Sequence, residues 1–352
     1  MKRPNYQHNR GGLIALLVTL CSVLLTSCNP LSVPPHSSIN SIAFSSDGQF
    51  LATGGGSDAD WRNFAPLYLT PWQQSGHQSL PLGSQKSATD QIFALAFSPD
   101  SKSLATGGQD GLVRLWQVQH PDVPPIIFHP NVDWIYSVAF SPDGTLLASG
   151  SPKDNNDRSI IHLWDVPNSQ NPPIILSEQP GIVYSLAFSP DGQTLASASG
   201  AGSIYLWDLK KDKPTPTILA VGLGIVEGVA YSSDGMYLAS ASRDNKVRLW
   251  NPHHLNTAPI ELNTPGCTVE ALAISPDSQE LAVSCFESFL LLWDLSQLNS
   301  SPRSLRVGRA SLDTVAFSAD SQLLATGTLY GEIYTWKVKN IVQTKPTVFV
   351  VP

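Results

Sequence analysis

The sequence predicts an all-β chain built from seven copies of one short unit, and three observations carry that expectation. First, an apolar strand ending in Ala and a large apolar residue is followed each time by a turn built on Asp: Asp47, Asp100, Asp143, Asp191, Asp234, Asp277 and Asp320. Second, four of the six spacings between those aspartates are 43 residues and the other two are 53 and 48, a fixed period with two insertions, as stacked supersecondary units leave in a sequence. Third, each copy continues as strands. In the cleanest copy, Tyr184 to Asp208, the turn is followed by a second strand at Thr194 to Ala198 and a third at Ile204 to Trp207. A fourth apolar stretch follows, as at Ile126 to Phe128, Ile174 to Leu176 and Val348 to Val350, with Pro before several of them, as suits an edge strand.

Taken from the N-terminus, residues 1–27 read as a signal peptide. Lys2, Arg3 and Arg10 form a basic region before the apolar run Gly12 to Leu25, fourteen residues, too short to span a bilayer comfortably. The run ends Leu25-Thr26-Ser27-Cys28, which resembles the lipobox of bacterial lipoproteins. That resemblance implies diacylglycerol on the Cys28 thiol, a stable anchor in the cell envelope, and a propeller-side face that is periplasmic or outside the cell. An ordinary signal peptide or an uncleaved anchor is the alternative. Asn29 is not the Asp that holds some lipoproteins at the inner membrane, which leans towards an outer membrane. Residues 28–38, with Pro30, Pro34 and Pro35, are expected as the lipidated N-terminus and a stiff tether. Removal of residues 1–27 discards three basic and no acidic residues and takes the net charge from −7 to −10, which argues against nucleic-acid partners.

The remaining chain, 39–352, is 42% hydrophobic in the whole-sequence count and long enough for one large core. In its turns Pro and Asp pre-set the bend and Gly or Ser completes it. Trp164-Asp165, Trp207-Asp208 and Trp293-Asp294, with Trp116, Trp250 and Trp336 keeping the Trp alone, make the chain similar to the WD-repeat family. The resemblance covers roughly residues 38 to 351 and implies a seven-bladed β-propeller with four antiparallel strands per blade. The family's Gly-His dipeptide, which anchors a His–Asp–Ser/Thr–Trp hydrogen-bond chain, is missing from every copy; Asp110 and Asp244 remain. Blades held mainly by packing are therefore expected. In the first copy Tyr68 and Trp72 compete for the Trp position. Little strand-like sequence precedes Ile39, so contiguous blades are expected, the seventh docking on the first by its face.

Cys267 and Cys285 both fall in the sixth copy, one before its first strand and one at the end of its second. A cross-strand disulfide and two buried thiols are both open, the former favoured by an oxidising location. The insertions, Gly55 to Phe64 and Ser151 to Arg158, are acidic and Asn-rich but lack Ca²⁺-loop spacing, and read as solvated. His253-His254, adjacent in a Pro-flanked linker, receive no role.

Alignment of the first strands gives the functional signal. One residue before the large apolar position is always Ala, two before is Ile, Leu or Val, and three before is small; four before, the pattern breaks into Asn40, Phe93, Tyr136, Tyr184, Glu227, Glu270 and Asp313. This variable ring is expected at the channel mouth, where WD-repeat proteins commonly hold partners. Its aromatics come from blades two to four, extended by Trp134, and its carboxylates from blades five to seven. Such a mouth suits a protein or peptide offering a basic group beside an apolar one. The plainer reading is aromatics filling the channel beside solvated acids. With no nucleophile beside a base, the leading expectation is a membrane-tethered, non-enzymatic interaction scaffold without cofactor or metal. The alternatives are a channel-metal enzyme using Glu227, Glu270 and Asp313, and a propeller that binds glycan or cell wall.

Overall fold

The computed structural model describes residues 38–56, 67–72, 79–82, 91–153, 158–211, 213–220, 222, 224–308 and 310–350. The leader, Cys28, the tether and the tips of both insertions lie outside them. The described chain forms seven four-stranded antiparallel sheets, each from four consecutive strands, with one short helical turn at Val338–Asn340. This is a seven-bladed β-propeller. Its first strands, innermost in each blade, are Ser38–Phe44, Ile92–Phe97, Ser137–Phe140, Val183–Phe188, Val226–Tyr231, Val269–Ile274 and Leu312–Phe317. The blades are contiguous as expected: the seventh runs from Leu312–Phe317 to Thr347–Val350 and takes no strand from the N-terminus.

The turn after each first strand is held by the same three bonds in every blade. A buried serine (Ser45, Ser98, Ser141, Ser189, Ser232, Ser275 or Ser318) donates its hydroxyl hydrogen to the turn Asp at 2.5 to 2.7 Å. The same hydroxyl accepts the main-chain N–H five residues on, at 2.9 Å in all seven. The Asp carboxylate accepts the N–H two residues on at 2.9 to 3.1 Å. Those bonds, the serine hydroxyl foremost, hold Asp100, Asp143, Asp191 and Asp320 below the ordinary carboxylate range. The residue after Asp is left-handed: Gly in four blades, but Ser101, Ser278 and Ser321 at φ 60°, 60° and 58° in the others. Left-handed backbone disfavours serine, and its hydroxyl compensates. Each of the three accepts the N–H of the turn Asp in the preceding blade, at 3.0 to 3.2 Å.

With the turn pinned, the Ala next to last in each first strand is registered against a second-strand Ala, from Ala43 with Ala52 to Ala316 with Ala325. The second-strand alanines are fully buried. They present a low surface on which the Leu, Ile and Trp side chains of the next blade lie, so the core is a set of seven seams rather than one centre. Small residues of the first strand sit close to the neighbouring blade, and Ser41, Ser137 and Ser185 accept hydrogen bonds from Leu95, Leu186 and Val229 N–H across the seam. The closing seam packs Ile39, Ile42 and Leu51 of blade 1 against Ala325 and Ile333 of blade 7.

Each blade from the second to the seventh registers its Trp against a second-strand Leu, Leu104 with Trp116 through Leu324 with Trp336. In blade 1 the place opposite Leu51 belongs to Thr70, neither Tyr68 nor Trp72. Trp72 instead packs edge-on against Phe44 beside the closing seam, ring centroids 5.6 Å apart.

The expectation of blades held mainly by packing needs correction. The Trp indole N–H donates to a buried hydroxyl in four blades: Trp116 to Thr106, Trp164 to Ser149, Trp207 to Ser197 and Trp250 to Ser240, at 2.9 to 3.0 Å. Ser197 donates in turn to the Gln179 carboxamide. Asp110 and Asp244 pair with Arg114 and Arg248, each at 2.6 Å, where the family would offer His. The network survives in pieces with new members. In blade 3 the corresponding residue is His162, stacked on Trp164 and buried, and burial pushes its pKa down to about 4.

Two predictions follow from the seams. Gly327→Ala would set its methyl 2.4 Å from Ile39 Cγ2 and is expected to cost about 1–3 kcal/mol in denaturant unfolding. Combining it with Ile39→Ala is expected to cost less than the two single changes added, and strict additivity would show that the two do not share the closing seam. His162 binds its proton less readily in the folded chain than in the unfolded one. Stability should therefore be intact above about pH 6.5 and fall by about 3 kcal/mol towards pH 4. His162→Tyr, the residue that Tyr205 and Tyr334 supply at this register, should flatten that part of the profile; an unchanged slope would clear His162.

Candidate functional site

The variable position turns out to be a β-bulge in six of the seven first strands. Pairing with the second strand skips Asn40, Phe93, Tyr184, Glu227, Glu270 and Asp313, each the extra residue in its strand. In blade 3 Tyr136 stands just before the ladder, its N–H bonded to Gly150 O at 3.0 Å. A bulge re-aims one side chain and releases it from the alternation that commits its neighbours to the seams. The seven positions share the start of the innermost strand, at the end of the propeller opposite the Asp turns.

The structure brings the aromatic members together. Phe93 and Tyr136 stack at 5.2 Å, Tyr136 and Tyr184 lie at 5.5 Å, and Trp134 meets Tyr136 edge-on at 6.0 Å. The four rings make one half-exposed surface across blades 2 to 4.

The other members are engaged locally. Asn40 accepts from Ser38 at 2.8 Å and donates to Ile92 O at 3.1 Å, linking blade 1 to blade 2. Asp313 accepts from Ser311 at 2.8 Å. Glu227 meets Arg243, whose Nε lies 2.5 Å from Glu227 Oε1. Arg243 sits in the turn between second and third strands of its blade, and its N–H donates to Ile225 O just before the bulge. One carboxylate of the mouth therefore already has a cation. Among the described residues no three His, Cys, Asp or Glu gather to hold a metal ion, so Glu227, Glu270 and Asp313 are spread round the ring rather than brought to one point.

Arg243 belongs to a recurring position. Gln109, Gly200, Phe286 and Leu329 make the same main-chain bond to the entry of their first strands. On blades 6 and 7 this rim exposes large apolar groups: Phe286 at 50%, Leu329 at 42% and Tyr330 at 51%. Sequence reading passed over them, although the signal was present. Blades 2 and 5 carry Asp110 and Asp244 in this turn, and Phe286, Leu329 and Tyr330 interrupt a stretch that is otherwise polar.

A family model described as "WD domain, G-beta repeat" matches residues 28–62, 79–117, 125–165, 171–208 and 221–251. Those segments fall on blades 1 to 5. Among curated proteins, the chain is similar to Protein HIR1 of Eremothecium gossypii, 34% identical over 95 residues. That stretch is 25% of this chain and 12% of the fungal protein, so the chain spans a small part of the relative's length.

Blade 6 is fastened at the mouth by a Cys267–Cys285 disulfide, which decides between the two readings of these cysteines. Their register is not that of a uniform hairpin. The bulge at Glu270 sets Cys285 opposite Val269, and Cys267 reaches it diagonally from a turn in which its N–H donates to Thr264 O. Glu287 secures the same entry by accepting from Thr268 N–H at 2.8 Å and from its hydroxyl at 2.7 Å. The bridged segment has a sequence separation of 18, so reduction is expected to cost about 3 kcal/mol by loop closure. Thermal unfolding with and without reductant checks this. A Cys267→Ser, Cys285→Ser variant should be indifferent to reductant, and a wild type equally indifferent would show that the bond contributes nothing.

Proposed function

The chain belongs to the WD-repeat family, and from that premise we propose that it is a non-enzymatic protein–protein interaction scaffold, exported, tethered to the bacterial envelope through Cys28, with its partner held at the channel mouth. WD-repeat propellers generally bind proteins or peptides. The observation that carries the reading is the ring at the start of the first strands, where six bulged residues and Tyr136 stand outside the pairing of first strand with second. Four aromatic rings in mutual contact give a rigid, amphipathic surface of the kind on which binding energy concentrates. Exposed Phe286, Leu329 and Tyr330 extend the apolar area outward on the other side. Glu227, Glu270 and Asp313 place acidic groups on this rim, and a basic group on the partner is their electrostatic complement. The disulfide is at home in an oxidising, exported location, which supports placing the propeller outside the cytoplasm.

Cross-linking and mass spectrometry on native membranes test the reading, with wild type compared with a Tyr136→Ala, Tyr184→Ala, Glu270→Lys variant of unchanged circular dichroism. Loss of two central aromatic anchors should weaken capture of the partner at least tenfold, at ~2 kcal/mol or more per hot-spot residue. Identical capture would remove the mouth from consideration. The N-terminal peptide of the same preparation reads the tether: it should begin at diacylglyceryl Cys28, and an intact leader or a bare thiol would exclude it.

A further inference from the structure

A cleft of about 430 Å³ opens between blades 4 and 5 on the face of the Asp turns, at the opposite end of the sheets from the ring. Its walls bring together Asp191, Asp208 and Asp234 with Tyr231 and the apolar Leu206 and Leu255. The carboxylates come from three separate pieces of chain: the turn of blade 4, the end of its third strand, and the turn of blade 5.

Tyr231 is the departure that marks this seam. It ends its first strand where five other blades place Phe44, Phe97, Phe140, Phe188 and Phe317 and the sixth places Ile274. No hydrogen bond is made by its hydroxyl among the described residues, although the hydroxyl is all that distinguishes it from those phenylalanines. Burial first and the Asp191 charge second raise its pKa, so the phenol stays a neutral donor and acceptor.

The carboxylates are available in the same sense. Asp191 and Asp234 each use Oδ1 for their own turns. Asp208 Oδ1 accepts from Lys210 N–H, and its Oδ2 lies 3.5 Å from the exposed Lys211 ammonium, a contact that water screens to little. Three acids thus line a cleft whose wall also holds Leu206, Leu255 and His253, with Lys210 close enough to act on Asp191. A cation on a long aliphatic stem satisfies both at once, the stem against leucine and the head on the carboxylates and the phenol.

We propose that this cleft is a second docking site, one that takes an Arg or Lys side chain from an extended basic segment of a protein partner. A neighbouring cleft of about 340 Å³ at the seam of blades 3 and 4 shares Pro190 and Asp191 and adds Asp143, so a segment running along this face meets a further carboxylate one blade on. The site is independent of the channel mouth.

The test is fluorescence anisotropy on the full chain in detergent with a fluorescein-labelled Gly-Leu-Arg-Leu-Arg-Leu-Gly peptide and its Glu-for-Arg counterpart. Saturable binding of the Arg peptide, weakening as salt rises, is expected, with none for the Glu peptide. Asp208→Lys should weaken it at least tenfold and Tyr231→Phe measurably. The first leaves the Asp191 and Asp234 turns intact, and the second installs the residue of the sibling blades, so melting temperatures should hold. Tyr136→Ala with Tyr184→Ala should bind as wild type. Absence of binding to wild type overturns the proposal. So does equal binding by the two cleft variants, which would mark general attraction to an acidic surface, or loss of binding in the mouth variant.

Discussion

The buried serine hydroxyl before each Asp turn is the contact on which the other features depend. It closes the turn from both sides, donating to the carboxylate and accepting from the start of the second strand, and so fixes which residue faces which at one end of every blade. A one-residue slip there would exchange the two faces of the sheet. The alanine pair would then no longer lie under the leucines of the next blade, and the seam would lose its fit. A single hydrogen bond of this kind contributes about 1 kcal/mol, but a misregistered blade would forfeit packing at two seams. Local turn chemistry is thereby converted into the geometry of the ring.

The same constraint accounts for the mouth. With register pinned at the turn end, an additional residue in the first strand has to be accommodated at its other end, and there the bulges are found. The bulged residue has no partner in the ladder, so the pairing of strands does not dictate its identity. That is why one position runs through Asn, Phe, Tyr, Glu and Asp while the three that follow it hardly vary. Release from the ladder is what lets this position vary.

Blade number, order and strand polarity were legible from the chain because spacing and alternation report backbone repeat directly. So was the variable ring, as a break in a pattern. What escaped reading depended on contacts between elements whose distance in sequence says nothing of their distance in space. Glu227 and Arg243 meet only because the bulge points the carboxylate back towards the rim turn of its own blade. The pairing of Cys285 with Val269 belongs to the same class, since the extra residue at Glu270 displaces the ladder beneath Cys285. In blade 1 the insertion shifts the third strand, and Thr70 rather than an aromatic falls opposite Leu51. The hydroxyl partners of four Trp residues are present in the sequence, but the family's hydrogen-bond chain begins at His, and without that His the half that remains has no spacing signal of its own.

The missing Trp of blade 1 bears on how the ring closes. Other seams receive a Trp from the incoming blade, whereas the closing seam receives Ile39, Ile42 and Leu51, with Phe44 and Trp72 partly buried at its edge. Among the described residues no strand is exchanged between the termini to compensate. The closing seam shares one device with its siblings: Gly327 leaves room for Ile39, as Gly54, Gly107 and Gly150 leave room for Ile92, Ile135 and Val183. A seam closed by face packing alone is the part of a propeller that separates at least cost. The first strand of that seam, Ser38–Phe44, is also the first described strand of the chain, so a pull applied at its N-terminal side would load the packing of Ile39 before that of any other blade.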